Sequence, residues 1–181
     1  MEDRNLTREA VMMNEKVSEL LNLQINKEFY SAYLYLALSA YFEDAGLDGF
    51  ANWYRIQAME ERDHAMLFYQ YLVNNNRSVK LQAIDSPSFK AEAHLDILLK
   101  GLEHEEYVTS LINEIYFAAS EVKDYRTMQF LDWFVKEQGE EETNANDLIT
   151  KMKLFGSDPK SLYMLNSELG ARVYTAPSLV L

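Results

Sequence analysis

Apolar residues recur every three or four positions along four long stretches of this chain, and near the middle of each stretch the spacing continues while the residue type switches to acid or amide. Between Arg8 and Glu43 there is neither Gly nor Pro, and the stripe Val17, Leu21, Gln24, Glu28, Ser31, Tyr35, Leu38, Phe42 predicts a helix over about 8–43. The segment DAGLDG breaks it. A second stripe, Phe50, Tyr54, Gln57, Glu61, His64, Phe68, Tyr71, predicts a helix over about 47–74 that runs out in the polar cluster NNNRS. So short a connection makes the two helices antiparallel. A third stripe, Leu95, Leu98, Leu102, Glu105, Thr109, Ile112, Tyr116, predicts a helix over about 88–120, with Ser86 as its cap and Pro87 in its first turn. A fourth, Leu131, Phe134, Gln138, Glu141, Ala145, Leu148, Met152, predicts a helix over about 124–154 that stops at Gly156. The run SDPKSLYMLNSEL then predicts a short fifth helix over about 159–170, capped by Asp158 with Pro159 at its first position, before a tail over 171–181.

The connection over about 75–87 is too polar at its start and too strand-like at SVKLQAI to be helix, and it is long for a bundle loop. About twelve extended residues at ~3.3 Å each reach ~40 Å, close to the length of a ~27-residue helix at ~1.5 Å per residue. The segment can therefore run the whole bundle and leave the second and third helices parallel. Val79, Leu81 and Ala83 alternate along it and are expected to lay one apolar edge on the bundle or on a neighbouring subunit. The predicted architecture is all-α: a four-helix bundle with one long crossover between its second and third helices, a short fifth helix, and a single domain over 1–181.

Composition narrows the function. There is no cysteine, which excludes disulfides and thiolate metal sites. A net charge of -12 argues against nucleic acid and anionic membranes as partners and suits a protein that collects cations. The first residues lack a basic start followed by an apolar run, and no stretch approaches the roughly 18 uncharged apolar residues of a membrane span, so a cytoplasmic protein is expected.

The polar centres of the four stripes coincide in depth: Glu28, then Glu61 with His64, then Glu105, then Gln138 with Glu141. They also repeat. Glu61 follows Glu28 by 33 residues and Gln138 follows Glu105 by 33, and a shift of 77 carries Glu28, Glu61 and His64 onto Glu105, Gln138 and Glu141. Four carboxylates and one imidazole, with no Lys or Arg on any stripe, cannot stay ionised in a bundle core without a cation among them. A lone Glu-x-x-His on a helix is usually an ordinary polar pair on a solvated face, but three further polar centres at the same depth point to a metal. Oxygen-rich ligation with a single imidazole favours iron or manganese over structural zinc, and the pattern approaches the di-iron carboxylate arrangement.

The segments NKEFYSAYLYLALS, MEERDHA, LEHEEYVTSLINEI and FLDWFVKEQGEEE together resemble the non-haem bacterial ferritins over nearly the whole chain. The resemblance implies a ferritin-like bundle in a self-assembled shell of 24 identical subunits. Such a shell takes in Fe(II), oxidises it with oxygen or hydrogen peroxide at an intrasubunit di-iron centre, and stores a ferric mineral. By position it implies a first iron site of Glu28, Glu61 and His64 with Glu61 bridging, and a second of Glu105 and Glu141 with Gln138 beside it. It further implies a third, inner-surface iron site at Glu60, Glu137 and Glu140, a site tyrosine at Tyr35 and a nearby tryptophan at Trp133, both able to supply electrons.

Several positions depart from the wider family. Arg62 follows the bridging Glu61 where haem-binding bacterioferritins carry methionine, so no haem is expected. The acidic channel of animal ferritins has no clear counterpart, with Glu121 and Asp124 the only candidates. His94 and His104 fall off the site layer and receive no metal role. Two other functions use the same features: a di-iron oxidase or oxygenase, against which the missing second histidine counts, and a non-catalytic helical assembly protein whose acidic layer binds structural cations.

Overall fold

Residues 13–181 are described by the computed structural model, and the described residues form five helices and no strand. The helices are α1 (Glu15–Asp44), α2 (Asp48–Asn74), α3 (His94–Glu121), α4 (Tyr125–Phe155) and α5 (Pro159–Gly170). Asn14 caps α1 by accepting from the Val17 N–H at 3.4 Å; residues 8–12, expected in the first helix, lie outside the described residues. Three residues join α1 to α2, and Gly46 among them takes a left-handed φ of 71° that a side chain would strain. At the α3–α4 turn, Asp124 accepts from the Thr127 N–H at 3.1 Å and its hydroxyl at 2.7 Å, which fixes the start of α4.

The buried side chains form two apolar clusters, one at each end of the bundle. One contains Phe42, Phe50, Tyr54, Leu98, Leu148 and Met152. The other contains Val17, Leu21, Phe68, Leu72, Ile112 and Phe130. Each of the four long helices contributes to both, α1 and α4 in the opposite sense to α2 and α3, so α2 and α3 run parallel. Between the clusters lies the layer of buried acids and amides.

The crossover is longer than the sequence suggests, running over 75–93. α1 holds its first half: Asn22 exchanges hydrogen bonds with the Lys80 backbone at 2.8 and 2.9 Å, and Asn26 donates to the Ala83 carbonyl at 2.9 Å. Val79 packs on the bundle, but Leu81 and Ala83 are exposed, so only part of the expected apolar edge lies on this subunit. Ser86 and Pro87 do not start α3. The Asp96 carboxylate accepts from the backbone N–H groups of Glu92 and Ala93, both at 2.9 Å, and that third-position acid starts the helix at His94. Phe89 and Ala91 pack against the first cluster as extended chain.

The stripe predicted on the third helix is also partly displaced. Leu98, Glu105 and Ile112 are buried, whereas Leu95, Leu102, Thr109 and Tyr116 are half-buried; Gly101, Val108 and Ile115 complete the inner face. Gly101 is the reason for the close approach, because a Cβ there would lie 2.9 Å from the Tyr54 hydroxyl.

α5 closes the end of the bundle by burying Leu165 and Leu169 in the first cluster. Leu47, the residue before α2, offers no capping side chain, and Asn166 of α5 supplies the cap by accepting from the N–H groups of Gly49 at 2.8 Å and Phe50 at 3.2 Å. A Cβ on Gly49 would fall 1.7 Å from the Asn166 carbonyl oxygen, so only glycine permits this docking.

Candidate metal centre

Glu28, Glu61 and His64 converge in the layer between the two apolar clusters. Each offers one ligand atom within 4.8 Å of the others, and among the described residues no other group of three or more acidic or histidine side chains does so. All three are buried. α1 brings Glu28, and the i, i+3 spacing on α2 sets Glu61 and His64 on one face, with His64 Nδ1 3.5 Å from Glu61 Oε2. Gln24, one turn before Glu28, donates to Glu28 Oε1 at 2.9 Å. Glu28 Oε2 has no hydrogen-bond partner. A proton held between Glu28 and Glu61 is what the metal-free site can offer that oxygen, and a cation would serve it better. Edge contacts from Trp133 and Phe134, at 5.5 and 5.8 Å between ring centroids, fix the imidazole plane.

The other half of the layer is built differently. Glu105 on α3 accepts from the Tyr35 hydroxyl and from Gln138 Nε2, the latter at 3.1 Å. Glu141 on α4 accepts from Gln57 Nε2 at 2.8 Å. Protein donors reach both oxygens of Glu105 and one of Glu141, whereas the first half leaves the buried Glu28 Oε2 open. Gln57, on the second predicted stripe but given no role there, is the residue that sequence reasoning missed; its own Oε1 has no partner. A cavity of about 20 Å³, lined in part by Tyr35, Tyr54, Gln57, Glu105 and Glu141, lies against this half and has room for about one water.

Burial is the main cause of every large carboxyl shift in the layer. It pushes Glu28 well above the usual carboxylate range, helped by the charge of Glu61, and does the same to Glu61, helped by Glu105 and Glu141. Glu105 is raised to about 8 by burial and by Glu141, against the opposing hydrogen bonds from Tyr35 and Gln138. The Tyr35 hydroxyl is raised by burial, then by the neighbouring acids. The metal-free site therefore holds protons that an incoming cation would displace.

Glu60, Glu137 and Glu140 do not meet at one point. Glu60 is paired with Arg172 at 2.7 Å, Glu140 with Lys136 at 3.0 Å on an exposed face, and Glu137 is half-buried without joining either. Trp133 donates to Ser178 Oγ at 3.1 Å. His104 is buried but turned to Ser31 Oγ at 2.7 Å, and burial lowers its pKa to about 4. His94 meets the Tyr41 hydroxyl at 3.1 Å near the first apolar cluster. Among the described residues no helix is long and apolar enough to cross a membrane.

The family model described as Ferritin-like domain matches residues 18–155. A bacterial non-heme ferritin of Campylobacter jejuni is 39% identical over 153 residues, covering 84% of this chain and 92% of that protein. One from Staphylococcus haemolyticus is 36% identical over 163 residues, covering 90% and 98%. Among solved structures, an open pore ferritin from the archaeon Archaeoglobus fulgidus is 42% identical with a TM-score of 0.87, covering 91% of this chain and 99% of that one. An engineered closed form of the Archaeoglobus fulgidus ferritin is 42% identical with a TM-score of 0.88, covering 90% and 99%.

Proposed function

The chain belongs to the ferritin family, and on that premise we propose that it stores iron, oxidising Fe(II) at an intrasubunit pair of sites and holding the product as a ferric mineral inside a hollow homo-oligomeric shell of 24 subunits. The observation that carries the reading is the unpartnered Glu28 Oε2, buried between two apolar clusters with Glu61 and His64 in ligand reach.

Glu28, Glu61 and His64 hold the first Fe(II), Glu61 bridges to a second held by Glu105 and Glu141, and Gln138 lies beside that second site. Each Fe(II) gives up one electron. Oxygen takes the two electrons with two protons to give hydrogen peroxide, or hydrogen peroxide takes them with two protons to give two waters. The carboxyl groups prepare this step twice: as hard anionic donors they favour Fe(III) over Fe(II), and the protons they hold in the metal-free state leave as iron binds. Tyr35, donating to Glu105, and Trp133, packed on His64, are positioned to lend electrons.

The second site has to exchange amide and phenol hydrogen bonds for metal bonds, so it binds iron more weakly than the first and passes product on. That asymmetry suits turnover toward a mineral. Glu60, Glu137 and Glu140 are the inner-surface acidic positions toward which product moves, and no haem is used. The protein works in the cytoplasm with no nucleic acid or membrane partner.

Size-exclusion chromatography after aerobic Fe(II) loading tests the reading. A large hollow shell retaining a ferric core supports it. A small oligomer with two tightly held irons would instead make the protein a di-iron oxidase or oxygenase, and no iron-dependent oxygen uptake would reduce it to a cation-binding assembly protein.

A further inference from the structure

After α5 the tail turns back along the face shared by α2 and α4. Asn52 donates to the Arg172 carbonyl at 3.1 Å, and the Arg172 guanidinium stacks 4.1 Å above the Trp53 ring. Its Nη2 donates to Glu60 Oε2 at 2.7 Å. Farther on, the Tyr174 hydroxyl donates to Asp63, and Ser178 Oγ accepts from Trp133. The Arg172 and Glu60 side chains are only 18% and 16% exposed, so this pair is largely withdrawn from water.

We propose that Arg172 is a built-in counter-cation at Glu60, so that docking of the C-terminal tail and binding of a divalent cation at Glu60 exclude one another. The proposal rests on reading Glu60 as an iron-binding carboxylate. Glu60 sits in the field of Glu137 and Glu141 and draws positive charge to its position. In the metal-free chain that charge comes from residue 172, spread over a planar guanidinium and shared with an indole face. A divalent ion concentrates twice the charge at the same oxygen and cannot share it with the guanidinium. Asn52 holds residue 172 by its own carbonyl and Tyr174 is the next anchor, so releasing the guanidinium loosens the strap between 172 and 174. Trp53, on which it stacks, also lines the small cavity beside Glu105 and Glu141, so the strap backs one wall of that cavity. Linkage makes the effect reciprocal: whatever loosens the tail tightens cation binding by the same factor.

The test uses full-length protein and Zn(II), which binds without being oxidised. A nitroxide label on Ala176→Cys, the chain having no other cysteine, is expected to become more mobile on Zn(II) saturation. Arg172→Ala should tighten the weakest Zn(II) class by about tenfold, within the 5–150-fold range of such couplings. Glu60→Gln should abolish that class and leave the tail label mobile without metal. Label mobility indifferent to Zn(II), parental Zn(II) affinity in Arg172→Ala, or a parental Zn(II) count in Glu60→Gln would each overturn the proposal. None of these results bears on oxidation at Glu61, which is measured separately with Fe(II) and oxygen.

Discussion

Gln138 donates its side-chain amide to the Glu105 carboxylate at 3.1 Å across 33 residues of sequence, the same separation at which Glu28 and Glu61 face one another as two acids. One half of the layer thus answers its own carboxylate, and the other half leaves charge for a cation to answer. This difference underlies the weakness assigned to the second iron site.

Gln138→Glu combined with Glu141→His would give α4 the Glu-x-x-His of α2 and make the halves alike. The variant is expected to retain two irons per subunit through desalting and chelator challenge, and to mineralise more slowly than the parent. Iron counted after the challenge, alongside the rate of core growth, is the check. Parental values for both would mean that the second site's weakness does not drive iron onward.

The cap that α5 lends to α2 gives a stability prediction. Asn166→Ala removes the acceptor for the Gly49 and Phe50 N–H groups and should cost about 0.5–2 kcal/mol, the usual range for a lost cap. Gly49→Ala should cost more, since its Cβ would collide with backbone. Denaturant unfolding of both variants measures this, and an Asn166→Ala midpoint equal to the parent's would show that the cap is dispensable.

Four stripes, their polar centres and the fifth helix were legible in the sequence because each is a local periodic signal. What was hidden depended on partners far along the chain. Pro87 carries a start signal in isolation, but the Asp96 carboxylate reaching back to Glu92 and Ala93 outcompetes it and begins α3 at His94. The inner face of α3 turned on Gly101 meeting Tyr54, a contact between helices that no periodicity within α3 encodes. Glu28, Glu61 and His64 meet as their spacing implies, whereas Gln57 looked like filler until the fold set it against Glu141, 84 residues away. The tail was opaque for the same reason: Arg172 finds Glu60 only across 112 residues.

Raised carboxyl pKa values fix the sign of the pH dependence of the metal-free protein. Glu105 binds its proton up to about pH 8 when folded and only to its ordinary value of 4.5 when unfolded. The folded state therefore holds more protons between those values, and stability present at low pH is lost as pH rises through about 8. Burial of His104 has the opposite sign, opposing folding as pH falls below its ordinary 6.5, so the clean window is pH 6.5 to 8. Across it the melting temperature of iron-free protein should fall, and Glu105→Gln should flatten the slope. A melting temperature that rises over this window would contradict the shift.

Under the proposed function, Glu28, Glu61 and His64 form the place where Fe(II) is oxidised. The most direct test is the initial rate of oxygen consumption on mixing Fe(II) with parent, Glu61→Ala and His64→Ala, after all three are matched for helix content and assembly size. Removing a buried carboxylate relieves repulsion in the metal-free layer, so the Glu61→Ala protein should stay folded and be at least as stable. Loss of the fast oxidation phase in both variants is the result predicted; oxidation at the parental rate in either would contradict the account.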